Sequence, residues 1–349
     1  AVGALADEQK KDETAAETAQ TTPDAEGTLR FENLSARMKT GYYTVMSLEE
    51  NIAAIECIDY DKMYEDLRDG LNQIAEAQWM MLQIPGAGET YTYKSLQDQY
   101  DTLRKTFDDI KDGKLQQDNA DLVRQLRDAE NQLLMAGQTL YINLLGLEDQ
   151  SAALTRQTAA LDRTIEEVKL RYELGQVSAM TLQQTEAGKA QVESGKAAID
   201  AAVAQLRRQL NAMIGEELTA PLTLNALPGV TAEQLAAMDV EKDLEKAKAA
   251  SYDLYAAKLT LDDADEEYKD KARDLGYNED NYEYIAVKHR WQAAQYTYNA
   301  AVQSFELSFR SLYDSVQSYA SALNAAKVSL ECERSDLAAA QLRYEQGTI

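Results

Sequence analysis

The chain of 349 residues is 45% hydrophobic and carries 60 acidic against 35 basic residues, a formal net charge of -25. That apolar content excludes wholesale disorder, and the acidic excess without a basic patch argues against nucleic acid, whose phosphates would be repelled. No apolar run approaches the roughly 20 residues of a membrane-spanning helix.

Proline occurs only at positions 23, 85, 221 and 228, and the commonest residues are good helix formers, so long helices are expected. At the start, "AVGALADEQKK" places Ala4-Leu5-Ala6 in the small-x-small form of a signal-peptidase site. Residues 1–28 are therefore expected to be a signal-peptide remnant and flexible leader. A first helical repeat is expected over 29–217, broken around "MMLQIPGAGETYTYKSLQ" and "DIKDGKLQQDNADL", with Thr90–Tyr93 as its one β-like run. Cys57 and Cys332 lack metal-ligand spacing, and two buried thiols are expected rather than a long-range disulfide. The single histidine, His289, reads as a surface or packing residue on a helix.

From Asn119 to Gly175 a stripe runs through Leu140, Leu144, Leu147, Ser151, Leu154, Thr158, Leu161, Ile165, Val168 and Tyr172, spaced alternately four and three apart. That is coiled-coil spacing, and at about 1.5 Å per residue the helix would be on the order of 85 Å long. A rod of this length needs a partner for its stripe. One follows at Val192, Ile199, Val203, Leu206, Leu210 and Met213, so an antiparallel hairpin is expected. Its turn lies at "LRYELGQVS", where Gly175 supplies a positive φ and Ser178 caps the returning helix.

Residues 218–230 read as an irregular linker, holding Pro221 and Pro228. A further long region from Val240 to Lys269 leads into a second long helix, and residues 231–349 form the second repeat. Its stripe repeats the first at a shift of 172 residues, from Leu312 to Tyr344, and ends in the same Leu-Arg-Tyr-Glu-x-Gly hexapeptide. Such a match in phase and motif indicates internal duplication. The fold class expected is all-α, made of long antiparallel coiled-coil hairpins in two repeats, with little or no β-barrel.

With these features together, the chain resembles the TolC-like outer membrane efflux protein family. The resemblance rests on "LRYELGQVSAMTLQQTEAGKAQVESGKAAIDAAVAQLRRQLNAMIG", on the "LTLNALPG" linker and on "SALNAAKVSLECERSDLAAAQLRYEQGTI". It covers roughly residues 118–349 well and 30–117 more loosely. It implies a homotrimer whose paired helices form a tapering α-barrel, the tunnel of an efflux or export system in the cell envelope. It also implies docking of a periplasmic adaptor, itself joined to an inner-membrane pump. Arg171, Tyr172, Gly175, Val177 and Ser178 match the family's first tip, and Arg343, Tyr344 and Gly347 the second; the resemblance implies that they order the turns and face the adaptor.

Three departures stand out. The breaks are too short and too charged for the strand pairs of an outer-membrane barrel, each strand needing roughly 9–11 residues. Thr181 replaces the aspartate common at the tip, and the sequence stops at Ile349 inside the second tip, so a returning helix is expected beyond it. The other reading of these residues is an extracytoplasmic coiled-coil spacer without channel activity. No Ser/His/Asp set, phosphate loop or metal-ligand cluster stands out, so neither an enzyme nor a cofactor is expected.

Overall fold

A computed structural model describes residues 24–347, so most of the expected leader, and Thr348 and Ile349, lie outside the described residues. The described chain is all-α apart from two strands of two residues each. It divides into two compact units that part between Gly229 and Val230.

In the first unit, β1 (Thr28–Leu29) leads into α1 (Phe31–Gly41), α2 (Tyr43–Glu56) and α3 (Tyr60–Leu82). The chain then turns through Gly86 at φ 78 and a single 3-10 turn into α4 (Tyr91–Lys111). Stacking of Tyr64 on Phe107 at 4.5 Å, and a bond from Gln78 Nε2 to Gln97 Oε1 of 3.1 Å, fix α3 and α4 as an antiparallel hairpin. Thr90–Tyr93 is not a strand. The Thr90 hydroxyl accepts from the Tyr93 amide and caps α4, and satisfying that amide outweighs the β propensity of alternating Thr and Tyr.

Gly113, at φ 77, releases the chain into α5 (Lys114–Glu173), five residues before Asn119, where the sequence places the start of this helix. At about 1.5 Å per residue, its 60 residues span about 90 Å. The returning α6 (Ala179–Met213) runs antiparallel to it. As one partner's number rises the other's falls, through Glu148–Arg207, Ser151–Asp200, Asp162–Lys189 and Lys169–Glu186. Every stripe position from Leu140 to Val168 is buried or half-buried, as is the facing stripe from Val192 to Met213.

The densest core lies at the far end of this hairpin, where Leu34 and Met38 of α1 meet Leu134, Tyr141 and Leu144 of α5 and Leu210 of α6. There β1 pairs in parallel with β2 (Thr223–Leu224) from the linker. Tyr141 is fully buried, and its hydroxyl lies 3.0 Å from the carbonyl of Leu29 and 2.6 Å from that of Asn225, at the ends of both strands. The linker expected to be irregular thus contains a paired strand, formed across nearly two hundred residues of chain.

The second unit begins at α7 (Ala232–Ala237), started by a reciprocal capping box of Thr231 and Gln234. The long region expected from Val240 is two helices, α8 (Val240–Ala250) and α9 (Tyr252–Leu275), broken because Ser251 leaves the helical conformation and caps Leu254. After Gly276 at φ 66, α10 (Tyr282–Glu345) runs back along both. Tyr268 stacks on Trp291 at 4.8 Å, Lys248 pairs with Glu306, and Arg310 grips Glu241 with two nitrogens. Beyond Ala320, every α10 residue is exposed.

Both cysteines are exposed and free, a correction to the expected burial. Cys57 ends α2, where its thiol donates to the Ala54 carbonyl, and Cys332 lies on the uncovered part of α10. His289 is exposed on α10.

The α8–α10 contact carries a pH dependence. Lost hydration and the bond to Asp243 Oδ2 at 2.8 Å push the Tyr313 hydroxyl up to about 12. The folded unit holds this proton more tightly than an unfolded chain, whose tyrosines ionise near about 10. The stabilisation is therefore complete below about pH 10 and is lost as pH rises towards 12. Urea melts across that window are expected to show a steeper loss of stability in the native sequence than in Tyr313→Phe.

Candidate functional site

The tip joining α5 to α6 is built by the backbone. Helix α5 ends because Gly175 takes φ 71; its N–H reaches the Tyr172 carbonyl at 2.9 Å, and the Gln176 N–H reaches the Arg171 carbonyl at 2.8 Å. These two bonds make a Schellman motif, which satisfies carbonyls that the helix end leaves unpaired. Ser178 then starts α6, its Oγ accepting from the Thr181 amide at 3.2 Å. Gly175 and Ser178 are placed as their residue types imply.

On this turn the side chains present a mixed surface. Arg171 pairs with Glu167 one turn back, Tyr172 is 45% exposed, and Val177 is half-buried in the turn. Thr181 forms part of the cap, its hydroxyl 3.0 Å from that of Ser178. Two further residues flank the tip with apolar surface, Leu174 at 64% exposed and Met180 at 69%. The heptad stripe passes through neither of them. Their signal in the sequence is only that they flank the glycine and the cap.

The second hexapeptide turns the same way. Gly347 has φ 69 and donates to Tyr344, as Gly175 does to Tyr172, and Gln346 donates to Leu342 as Leu174 does to Leu170. Arg343 and Tyr344 are exposed. The five residues of the first tip are thus gathered on one turn, and the three of the second on another.

Between α5 and α6 a groove of about 480 Å³ opens along the seam, lined by Thr155, Thr158, Ala159, Asp162, Glu193, Lys196, Ala197 and Asp200. Bonds to Asp162 and Glu193 raise the pKa of Lys189, and bonds from Lys196 and Ser151 lower that of Asp200. Lys189 and Asp200 are thereby held charged at neutral pH. The ion pairs of Lys189 and Lys196 thus form a polar strip, interrupted by Ala159 and Ala197, along the packed seam.

No atom lies within 4 Å of where a Cβ at Gly175 would be, so substitution there tests backbone conformation alone. Gly175→Val is expected to cost the tip about 1–2 kcal/mol through its positive φ. Amide exchange at residues 171–178 should accelerate by roughly tenfold, while exchange in the distant core stays unchanged.

No family model matches the chain, and no curated protein or solved structure is similar enough to it to count as a match.

Proposed function

We propose that the chain is a TolC-like efflux or export component, a helical tunnel protomer that docks an adaptor through its hairpin tips. The observation that carries this reading is the pair of hexapeptide turns, identical in sequence pattern and alike in backbone bonding, at the ends of helices of 60 and 64 residues. A cap alone requires only the glycine, whereas the repeated Arg-Tyr pair beside it is a surface feature kept twice.

In this reading both long helices belong to coiled-coil hairpin repeats. Ten positions of the α5 stripe and their α10 counterparts share one phase. Those of α5 are covered by α6 through Val168, but those of α10 are mostly bare: Ile165 is 7% exposed and Leu337 60%. The bare stripe of α10 is left for a helix of a neighbouring copy to cover. The polar strip along α5 and α6 faces the lumen, and three protomers close the tunnel. Arg171, Tyr172, Val177 and Ser178 face the adaptor, with Arg343 and Tyr344 on the second tip; the glycines shape the turns. The assembly lies in the cell envelope and works with an inner-membrane pump, moving small molecules or proteins outward. The alternative, a coiled-coil spacer, needs the seam but not the polar strip beside it.

A photo-reactive residue at Gln176 or Gln346 tests the docking role in the producing cell. The expected result is a crosslink at both tips to one protein with an antiparallel helical hairpin, and none from Gln157 in mid-helix. Equal crosslinking from all three positions, or capture of unrelated proteins, would favour the spacer.

A further inference from the structure

The tip of the α3–α4 hairpin is an uncharged stretch in an otherwise heavily charged chain. From Ala77 to Gly88 no residue is charged, although 27% of the chain is, and no Lys or Arg occurs between Arg68 and Lys94. The same stretch turns its apolar side chains outward: Trp79 is 66% exposed, Met80 60%, Leu82 55% and Ile84 63%, with Tyr91 at 87% across the turn. These residues lie in the last turn of α3, in the loop and at the first position of α4, so they share one end of the hairpin. The α9–α10 turn differs, for it carries Asp274, Glu279 and Asp280.

From this we infer that the α3–α4 tip inserts shallowly into an electrically neutral lipid surface. Trp and Tyr suit the boundary between headgroups and acyl chains because each joins an apolar ring to a polar atom, while Leu, Ile and Met reach the hydrocarbon edge. Charge selects the lipid. A chain of net charge -25 is repelled by anionic headgroups, and the tip has no basic residue to offset this. No helix among the described residues is long and apolar enough to cross a membrane, so contact at this tip is interfacial. This inference does not rest on the tunnel reading.

The chain has two tryptophans, so Trp291→Phe leaves Trp79 as the only reporter, and phenylalanine keeps a ring against Tyr268. With phosphatidylcholine vesicles, Trp79 emission is expected to shift to shorter wavelength and the protein to float with the lipid. Adding phosphatidylglycerol should weaken both effects. Leu82→Asp with Ile84→Asp, both at exposed positions, should lower partitioning on the order of tenfold or more with an unchanged helical circular dichroism spectrum. Absence of partitioning, equal partitioning of the Asp variant, or stronger binding to anionic vesicles overturns the inference. A concentration-dependent shift without vesicles would assign the tip to a second copy and also overturn it.

Discussion

Gly215→Ala is expected to cost the first unit about 3 kcal/mol, because two separate penalties fall on one position. Gly215 has φ 74, a conformation in which any side chain is strained. A Cβ there would also stand 2.8 Å from both the Cα and the carbonyl oxygen of Gly41, which are backbone atoms that cannot rotate away. Gly41 faces the same crossing from the other side, where its Cβ would strike the Ile214 carbonyl, so Gly41→Ala should be about as harmful. The end of α1 and the end of α6 can cross only as glycine against glycine. At 2–4 °C per kcal/mol for a unit of this size, a melting curve should fall by roughly 6–12 °C. Gly188→Ala serves as a control, since that helical position is open, and it should gain about 0.5–1 kcal/mol. A Gly215→Ala melt that coincides with the native one would show the crossing to be looser than described.

Tyr141→Ala should cost more, about 3–5 kcal/mol, as expected for emptying a fully buried aromatic site. Tyr141→Phe separates the packing from the bond: it keeps the ring against Phe31 but removes the only proton shared by the Leu29 and Asn225 carbonyls. That loss alone should amount to about 1–2 kcal/mol. Chemical denaturation of the two variants checks the division. If Phe proves as damaging as Ala, the hydroxyl bridge carries the strand pair; if both are mild, the strand pair is held elsewhere.

The contrast between Tyr141 and Gly175 indicates how much of this fold could be read from the sequence. Gly175, Ser178 and the facing stripes of α5 and α6 are local or periodic features, and each acts over a few residues of helix, so spacing alone located them. Tyr141 lies off the heptad stripe, and its partners sit 112 and 84 residues away, in or beside strands too short to give an alternating pattern. The Gly41–Gly215 crossing is equally non-local, because nothing near either glycine predicts the other. Thr90 and Ser251 illustrate a different failure, where a single capping hydroxyl outweighed regional composition. The exposure of both cysteines follows from their positions, one at a helix end and the other on the bare part of α10, rather than from residue type. At the tip, the turn was legible in the hexapeptide, but the apolar flanks Leu174 and Met180 were not, since no periodicity selects them.

The bare stripe of α10 makes assembly the point on which the proposed function turns. Native mass spectrometry of the full chain over a range of concentrations tests the tunnel reading most directly. A species of three copies, weakened when Leu337, 60% exposed on that stripe, is replaced by aspartate, is the predicted result. A single copy at every concentration, unchanged by that substitution, would contradict it.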